Sequence, residues 1–560
     1  MIMKKILWSA VFVCAATIFG GCSDFFEVST DTALNDKDYI SEESEIYSGY
    51  IGIMTKMQAI GDKSIYLFEL RGEMVEPTTT APRELYSLYN YDDDLTGNKY
   101  ADPAGYYEVI NACNDYLSKL KKYKESHSID EAHYKALVSS TLRVQAWTFL
   151  TMAKIYGEVV WVDKPMTSLR DLSKFKTLQF DDVILACKNM LEIGFDGVDG
   201  TYSTSWKEWV DPDTDLADSE YRRWDMMTPP YYALYGELCL WLGKYQKCID
   251  VILDYVNSEY IKTNSTSIIF LRNDMLLGKW STFWNNETPW DYESASAIMY
   301  DYQHDQTNEL FKHFDSDTPN KYWLAPSEAG MLRFSDPDFD PLGSLTEDFR
   351  MNSTFREYNG KYVICKFRPT SGAVREAYRN DVFVYTYRGA DIYLMLAEAF
   401  NQLGKREAVD ALMNVGVTSY TDEFEADEDG TLSGTWNGFT PHWTTANAVY
   451  YFADGSVKVA SRKYGDRGLR GVDYTKMGSR TFTNDAREND EELLKEAMLE
   501  MSCEGKVYPM MIRMAKRYND PSIMAKYIRE KYAANGNAEA IRAKIMNGDY
   551  FIKWDLKTEK

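Results

Sequence analysis

Residues 387–415 read YRGADIYLMLAEAFNQLGKREAVDALMNV, and this stretch decides the fold. Its apolar residues recur at helical spacing, first through Tyr393, Leu396 and Phe400 and then through Leu412. The segment Leu403-Gly404-Lys405 separates the two runs, and a glycine at that point allows two helices to fold back on each other. The stretch therefore predicts a helical hairpin of the tetratricopeptide kind.

Two other stretches show the same organisation. Helical periodicity runs from Tyr134 to Tyr156, where Gly157 ends it, and a short extended piece follows. A second hairpin is predicted over residues 231–256, with Gly243 at the junction. Two long helices, 489–517 and 522–546, close the chain. The hairpins are far apart, with long loop-rich segments between them, so we expect a mainly α-helical scaffold with few short strands.

The first residues are typical of an exported lipoprotein. Lys4 and Lys5 precede an apolar run of about 15 residues, which is too short to span a bilayer and fits a secretory signal. Cys22 directly follows the small residues Gly20 and Gly21, and bacterial lipoproteins are cut just before a cysteine placed in this way, which then carries the acyl chains. We expect a signal peptide over residues 1–21, a lipidated tether over 22–40 and a single domain over 41–560, anchored to a membrane by lipid at Cys22.

Charge and cysteine usage exclude some classes of partner and fold. The net charge of the 560 residues is −24, which repels polyphosphate and makes nucleic acid a poor candidate ligand. Six cysteines lie beyond Cys22, without close pairs such as C-x-x-C. This scattered pattern does not predict a disulfide framework.

Several short motifs, taken in order, resemble the SusD/RagB family of surface nutrient-binding lipoproteins. Each is weak alone, but their order behind a lipoprotein signal is specific. Glu73, Val507 and Met510 depart from the residues that the family carries at these positions. The motifs are Arg71-Gly72-Glu73, Ala136 through Trp147 to Ile155-Tyr156-Gly157, Ala325-Pro326-Ser327, Asp348-Phe349-Arg350, Tyr387-Arg388-Gly389-Ala390-Asp391 with Leu396-Ala397-Glu398-Ala399, and Glu504-Gly505-Lys506 through Arg513.

The resemblance implies a SusD-like fold, with four tetratricopeptide-like hairpins packed against a more irregular, loop-rich ligand-binding half. It also implies an outer-membrane, cell-surface location and a partner, a SusC-like TonB-dependent barrel to which the protein delivers its ligand. No catalysis and no cofactor are implied.

The residues themselves give little support to an enzyme. The five histidines have no metal-pair spacing, and no H-E-x-x-H, G-x-S-x-G or phosphate-binding glycine loop occurs. Calcium is retained as a candidate ligand of one acidic loop. Asp336, Asp338, Asp340 and Glu347 follow the spacing of an EF-hand loop, although Pro341 replaces its turn glycine. A solvated surface loop is the alternative interpretation.

Aromatic residues concentrated in loops suggest sugar capture. Tyrosine and tryptophan offer flat apolar faces with a polar handle, and nearby amides can bind hydroxyls. The resemblance places ligand contacts in residues 73–98 and 280–302. We therefore predict a stacking platform of tryptophans and a tyrosine, faced by two further tyrosines and supported by asparagines. The predicted contacts are Trp280, Trp284, Trp290, Tyr292, Tyr86, Tyr89, Asn98, Asn285 and Asn286. The alternative is that these aromatics fill the core.

Three functions remain open from the sequence. The first is a non-catalytic glycan-binding subunit of an import complex. The second is a RagB-like subunit that captures peptide or protein on the same scaffold. The third is a structural lid whose barrel partner holds all the ligand affinity. Loop tryptophans beside Asn and Asp favour sugar, because peptide grooves more often present an apolar trench or a strand edge.

Overall fold

A computed structural model describes part of the chain in detail. The predicted signal peptide, Cys22 and the tether lie outside this part, so that division of the chain stays a prediction. The described residues are 44–203, 225–263, 284, 294–340, 348–367, 380–415, 424–426, 432–434, 468–470 and 478–554.

Helices dominate the described residues, as the sequence predicts. Short 3₁₀ or π turns extend several of them. The α-helices are α1 Ser44–Gln58, α2 Lys63–Arg71, α3 Arg83–Tyr89, α4 Ala104–Glu125, α5 Glu131–Tyr156, α6 Phe180–Ile193, α7 Tyr231–Trp241, α8 Tyr245–Thr263, α9 Leu310–Phe314, α10 Glu328–Leu332, α11 Phe349–Thr354, α12 Gly389–Gln402, α13 Arg406–Asp410, α14 Ala486–Glu500, α15 Val507–Tyr518, α16 Ser522–Ile528 and α17 Ala538–Met546.

The strands are short and pair only in twos. Each pair is antiparallel. The pairs are β1 Val75–Pro77 with β5 Leu324–Pro326, β2 Glu158–Val160 with β3 Thr177–Gln179, β4 Ser294–Ile298 with β8 Val384–Arg388, β6 Phe355–Tyr358 with β7 Lys361–Ile364, and β9 Phe424–Ala426 with β10 Leu432–Gly434.

The hairpins predicted around Gly243 and Gly404 are confirmed. Helices α7 and α8 flank Gly243, whose φ is +66°, and α12 and α13 flank Gly404, whose φ is +70°. Helices α4, α5, α6, α7, α8, α12 and α14 pack in sequence along a scaffold. A cluster of buried apolar side chains extends from Ile46 on α1 to Ile552 beyond α17.

Helix α5 shows how local sequence sets the limits of an element. Asp130 caps its start, because the carboxylate accepts hydrogen bonds from the backbone N–H groups of Ala132 and His133. Gly157 ends it with φ +73°, a left-handed conformation that favours glycine. A Cβ added at Gly157 would lie 2.6 Å from the ring of Phe551, so packing also requires glycine there.

The two long C-terminal helices predicted from sequence are wrong in their continuity. The predicted break between residues 517 and 522 is present, with Asn519 (φ +47°) between α15 and α16. Gly505 (φ +72°) divides the first predicted helix into α14 and α15, and Gly536 (φ +77°), after a 3₁₀ turn over Arg529–Tyr532, divides the second into α16 and α17. Apolar periodicity continued across these points, but the left-handed residues interrupt the backbone hydrogen bonding.

A buried charge network is centred on Glu496 of α14. Its carboxylate lies between three buried arginines, with Arg350 at 2.8 Å, Arg470 at 2.5 Å and Arg480 at 2.6 Å. Burial alone would raise the pKa of Glu496, but these guanidinium groups hold that pKa well below its usual range. Removing one member of a buried ion pair lowers the free energy of unfolding by about 3–5 kcal/mol, because the other charge is left buried without a partner.

The network continues to the turn between α14 and α15. Arg388, at the start of α12, bonds Glu500 at 2.8 Å and Glu504 at 2.9 Å. Lys366, which follows β7, bonds Glu504 at 2.5 Å and donates to the Glu500 carbonyl at 2.8 Å. Three of the sequence motifs therefore meet here: Asp348-Phe349-Arg350, Arg388 in the helix motif, and Glu504-Gly505.

Helix α2 also contacts the turn between α14 and α15. The Gly505 N–H donates to Glu69 Oε1 at 2.7 Å. Lys531 lies on the other side of α2 and donates to the carbonyls of Leu70 (2.8 Å) and Val75 (2.9 Å). Burial, reinforced by nearby Glu73, raises the pKa of Glu69 to about 8.

Two further expectations concern cysteines and membrane spans. The six cysteines among the described residues are buried and free of disulfides. Throughout the described ranges, every helix is too short or too polar to cross a bilayer.

Substituting Gly157 by alanine should destabilise the protein more than substituting Gly404. Both glycines have a left-handed φ, but a Cβ at Gly404 meets nothing within 4 Å. We expect Gly404→Ala to cost about 1 kcal/mol in the free energy of unfolding from backbone strain alone. Gly157→Ala adds overpacking against Phe551, about 1–3 kcal/mol more. Urea denaturation measures both, and equal losses would contradict the packing described at Gly157.

Glu69 should make stability depend on pH. Its pKa is about 8 in the folded protein against an ordinary value of 4.5, so the folded state binds more protons between these values. The stability from Glu69 is complete below pH 4.5 and is lost as pH rises toward and through 8. We expect the difference in unfolding free energy between wild type and Glu69→Gln to fall as pH rises from 5 to 8. A difference that stayed constant in urea titrations would contradict the assignment.

Candidate functional site

The pairing of β1 with β5 brings two distant loops to one surface. Val75 pairs with Pro326 and Pro77 pairs with Leu324. The Ser327 hydroxyl donates to the Glu73 carbonyl at 3.0 Å and also accepts from the Gly330 N–H at the start of α10. The chain that leaves β1 therefore runs beside the chain that enters β5.

Hydrogen bonds from Thr78 fix these two loops together. Its N–H donates to the Trp323 carbonyl at 2.8 Å, and its hydroxyl donates to the Tyr322 carbonyl at 2.6 Å. Thr80 adds a longer bond of 3.4 Å to the same Tyr322 carbonyl. The Tyr86 hydroxyl donates to the Thr78 carbonyl at 2.9 Å, which holds the first turn of α3 against the loop.

Tyr322 is held in an uncommon backbone conformation. Its φ is +48°, in the left-handed region that few residues other than glycine adopt. Its hydroxyl donates to the Tyr362 carbonyl at 2.8 Å, and the Lys361 ammonium lies 5.0 Å from its ring centre. Burial, with a smaller effect of Glu76, raises the pKa of Tyr322 to about 12, so the hydroxyl keeps its proton. Strained residues of this kind often cluster at ligand sites.

The hairpin of β6 and β7 brings the last residues to this surface. Asn359 and Gly360 connect the strands with φ values of +51° and +73°. Positive φ at both central residues is typical of the two-residue hairpin turn that Asn-Gly favours. Tyr362 follows this turn and is 41% exposed.

We call the resulting set of residues the tyrosine surface. It combines aromatic rings with hydroxyl groups and one ammonium group, and it stands on the turn between α14 and α15. Lys366, just after β7, contacts that turn through Glu504, and Glu69, on the helix α2 that precedes β1, contacts it through the Gly505 N–H. Such a surface can stack on an apolar face and bond the polar edge of a ligand. Its members are Thr78, Thr80, Tyr86, Tyr322, Lys361 and Tyr362.

Of the contacts predicted from sequence, Tyr86 lies in the tyrosine surface and is partly exposed. Tyr89 and Asn98 are corrected. Tyr89 is buried with its ring 4.5 Å from that of Tyr532, because α3 turns it toward the C-terminal helices. Asn98 is buried, its amide donating to the Glu84 carbonyl at 2.8 Å and its oxygen accepting from the Tyr100 N–H. Both side chains stabilise the fold in these positions.

Trp284 also lies in the core. It is 2% exposed, with its ring edge-on to Tyr385. The Lys366 ammonium lies 4.7 Å and the Arg388 guanidinium 5.4 Å from the ring centre. This placement corrects the prediction that Trp284 stacks on a sugar, because its ring covers the buried cations instead. Trp280, Trp290, Tyr292, Asn285 and Asn286 lie outside the described residues.

The acidic loop considered for calcium has another structural role. Asp340 is buried and bonds Arg470 at 2.7 Å, so it belongs to the Glu496 network. Asp336 accepts from the Asp338 N–H at 2.9 Å, and Glu347 lies outside the described residues. Over the described ranges, no three acidic, histidine or cysteine side chains come together as a metal site.

Sequence reasoning missed Tyr322 and Tyr362. Both were detectable in principle: Tyr322-Trp323 directly precedes Ala325-Pro326-Ser327, and Asn359-Gly360 between aromatic residues is a strong hairpin signal. The contact between them depends on residues 40 positions apart, which periodicity does not reveal.

Comparison with known proteins supports the family resemblance. Residues 347–553 match the SusD family. A SusD superfamily protein from Bacteroides vulgatus superposes with a TM-score of 0.57 at 13% identity, over 91% of this chain and 95% of that chain. No curated protein sequence matched.

Two other solved structures share the fold. A laminarin binding SusD-like protein has a TM-score of 0.54 and 15% identity, covering 89% of this chain and 96% of its own. Surface glycan-binding protein A from Bacteroides uniformis has a TM-score of 0.54 and 16% identity, covering 92% and 94%. The predicted mainly α-helical SusD-like fold is confirmed. The chain therefore matches the SusD family over residues 347–553 and shares the fold of SusD superfamily structures over most of its length.

Proposed function

We propose that this chain is a non-catalytic, cell-surface glycan-binding lipoprotein. The tyrosine surface carries the proposal, because it presents Tyr322 and Tyr362 beside threonine hydroxyls on a strained, well-bonded loop. Pyranose rings have CH-rich faces that pack on aromatic rings, and hydroxyls that bond to groups such as these. Two proteins of the same fold are described as laminarin binding and as surface glycan-binding.

The remaining parts of the proposal concern location and delivery. Acyl chains on Cys22 would hold residues 41–560 at the outer membrane through the tether. The bound oligosaccharide would pass to a SusC-like TonB-dependent barrel. The family resemblance supports this partner, and the chemistry of residues 4–22 supports the anchor.

The first experiment is a glycan array with protein that lacks residues 1–22, run beside a peptide pool. Laminarin-derived oligosaccharides belong on the array because a protein of this fold binds laminarin. Binding to one or a few oligosaccharides is the expected result. Binding to peptides alone would favour the RagB-like alternative and overturn the glycan proposal.

Alanine at Tyr362 should weaken binding of the oligosaccharide that the array identifies. Loss of one stacking ring corresponds to about 1 kcal/mol, or roughly a fivefold rise in Kd by isothermal titration calorimetry. Tyr322→Ala should weaken binding more, because it also removes the bond that aligns Tyr362.

Tyr302→Ala is the matched control. Tyr302 is exposed to a similar degree, 38%, but lies in a different loop. An unchanged Kd is expected for this variant. If all three variants bound like wild type, the ligand would contact another surface.

A further inference from the structure

A second concave region lies apart from the tyrosine surface and shares no residue with it. Its volume is about 1260 Å³, larger than the roughly 300–1,000 Å³ of clefts that hold drug-sized molecules. Four chain segments and Lys516 form its walls, the segments being residues 93–96, 156–158, 177–182 and 551–554. The dimensions suit a segment of a polymer.

The C-terminal segment is fixed in place as one wall of this cleft. Arg71 donates to the Asp549 carbonyl at 2.7 Å, and the Ile552 N–H donates to the Ile155 carbonyl at 2.8 Å. Phe551 packs over Gly157 and lies 5.5 Å from the ring of Phe180. Phe180 is buried, with the Lys516 ammonium 4.8 Å from its ring centre, so the partly exposed Phe551 and Trp554 form the aromatic floor of the cleft.

Carboxylates exceed ammonium groups around this floor. Asp93, Asp94, Glu158, Asp181 and Asp182 line the cleft, against two lysines. Both lysines already contact carboxylates: Lys553 lies 3.2 Å from Asp93 and 2.7 Å from Asp549, and Lys516 lies 3.2 Å from Asp181.

The carboxylates of the cleft face solvent, and Asp93 and Asp181 do so while paired with Lys553 and Lys516. Asp181 is 76% exposed, and Glu158 and Asp182 are also exposed. A concave surface with one excess sign of charge concentrates its field and attracts ligands of opposite charge.

We propose that this cleft binds an extended, positively charged segment of a partner protein. Arginine suits both features, because its guanidinium packs flat on aromatic rings and bonds carboxylates in pairs. A neutral glycan gains nothing from the excess negative charge, and an anionic polymer is repelled. The cleft is thus an interaction surface for a basic loop or terminus, separate from glycan capture.

The test uses a fluorescein-labelled twelve-residue peptide of alternating arginine and glycine, with the protein lacking residues 1–22. Fluorescence anisotropy should show saturable one-to-one binding that weakens as NaCl rises from 50 to 300 mM. The double variant Glu158→Lys/Asp182→Lys should bind at least tenfold more weakly. Trp554→Ala, which leaves the charge unchanged, should bind about threefold more weakly through loss of the aromatic floor.

The control is Asp163→Lys/Glu125→Lys, which makes the same charge change at exposed carboxylates outside the cleft. Its Kd should stay within twofold of wild type. Equal weakening in both double variants would show general attraction to an acidic surface and overturn the proposal.

Two other probes distinguish the remaining occupants. A glutamate–glycine peptide of the same length should not bind. Binding of a glucosamine hexamer without binding of the arginine peptide would overturn the proposal in favour of a sugar site. If circular dichroism shows that Glu158→Lys/Asp182→Lys does not fold, the effects of Trp554→Ala and of NaCl on the Kd of the arginine peptide test the proposal instead. A Kd that changes with neither would contradict it.

Discussion

The structure depends on buried ionic contacts made by one short stretch, Glu496 to Gly505. Burying a carboxylate is unfavourable unless cations and donors surround it, and here arginines and Lys366 do so. Arg350, Lys366 and Arg388 come from distant parts of the chain, and Arg470 and Arg480 come from the segment that precedes α14. The requirement to pair these charges therefore fixes the positions of α11, the end of β7 and the start of α12 relative to α14.

The stretch Glu496 to Gly505 also positions the segments that form the tyrosine surface. Lys366 ties the β6–β7 hairpin, and so Tyr362, to Glu504. Gly505 ties α2, and so the turn into β1 and Thr78, to the same point through Glu69. Two arms that meet at Tyr322 and Tyr362 are thus fixed on one support. Flexible side chains gain binding strength when the backbone that carries them is held in this way.

Local patterns predicted the scaffold well and the site only in part. The hairpins at Gly243 and Gly404 and the end of α5 at Gly157 follow from periodicity and glycine, which act over a few residues. Family motifs such as Asp348-Phe349-Arg350 were recognisable, but the sequence did not show that they meet. The burial of Trp284 against Arg388 depends on tertiary contacts. The aromatic-rich, loop-like sequence around Trp284 therefore led to the wrong prediction that it stacks on a sugar. Tyr322 and Tyr362 were missed for the same reason.

The most direct test of this support is hydrogen–deuterium exchange, followed by mass spectrometry, on Lys366→Met. Removing the ammonium should release the β6–β7 hairpin, so peptides covering residues 355–364 should exchange at least tenfold faster than in wild type. Peptides from α5 should exchange at the wild-type rate. Unchanged exchange in the hairpin, or equal acceleration throughout the protein, would contradict the account that Glu504 positions the tyrosine surface.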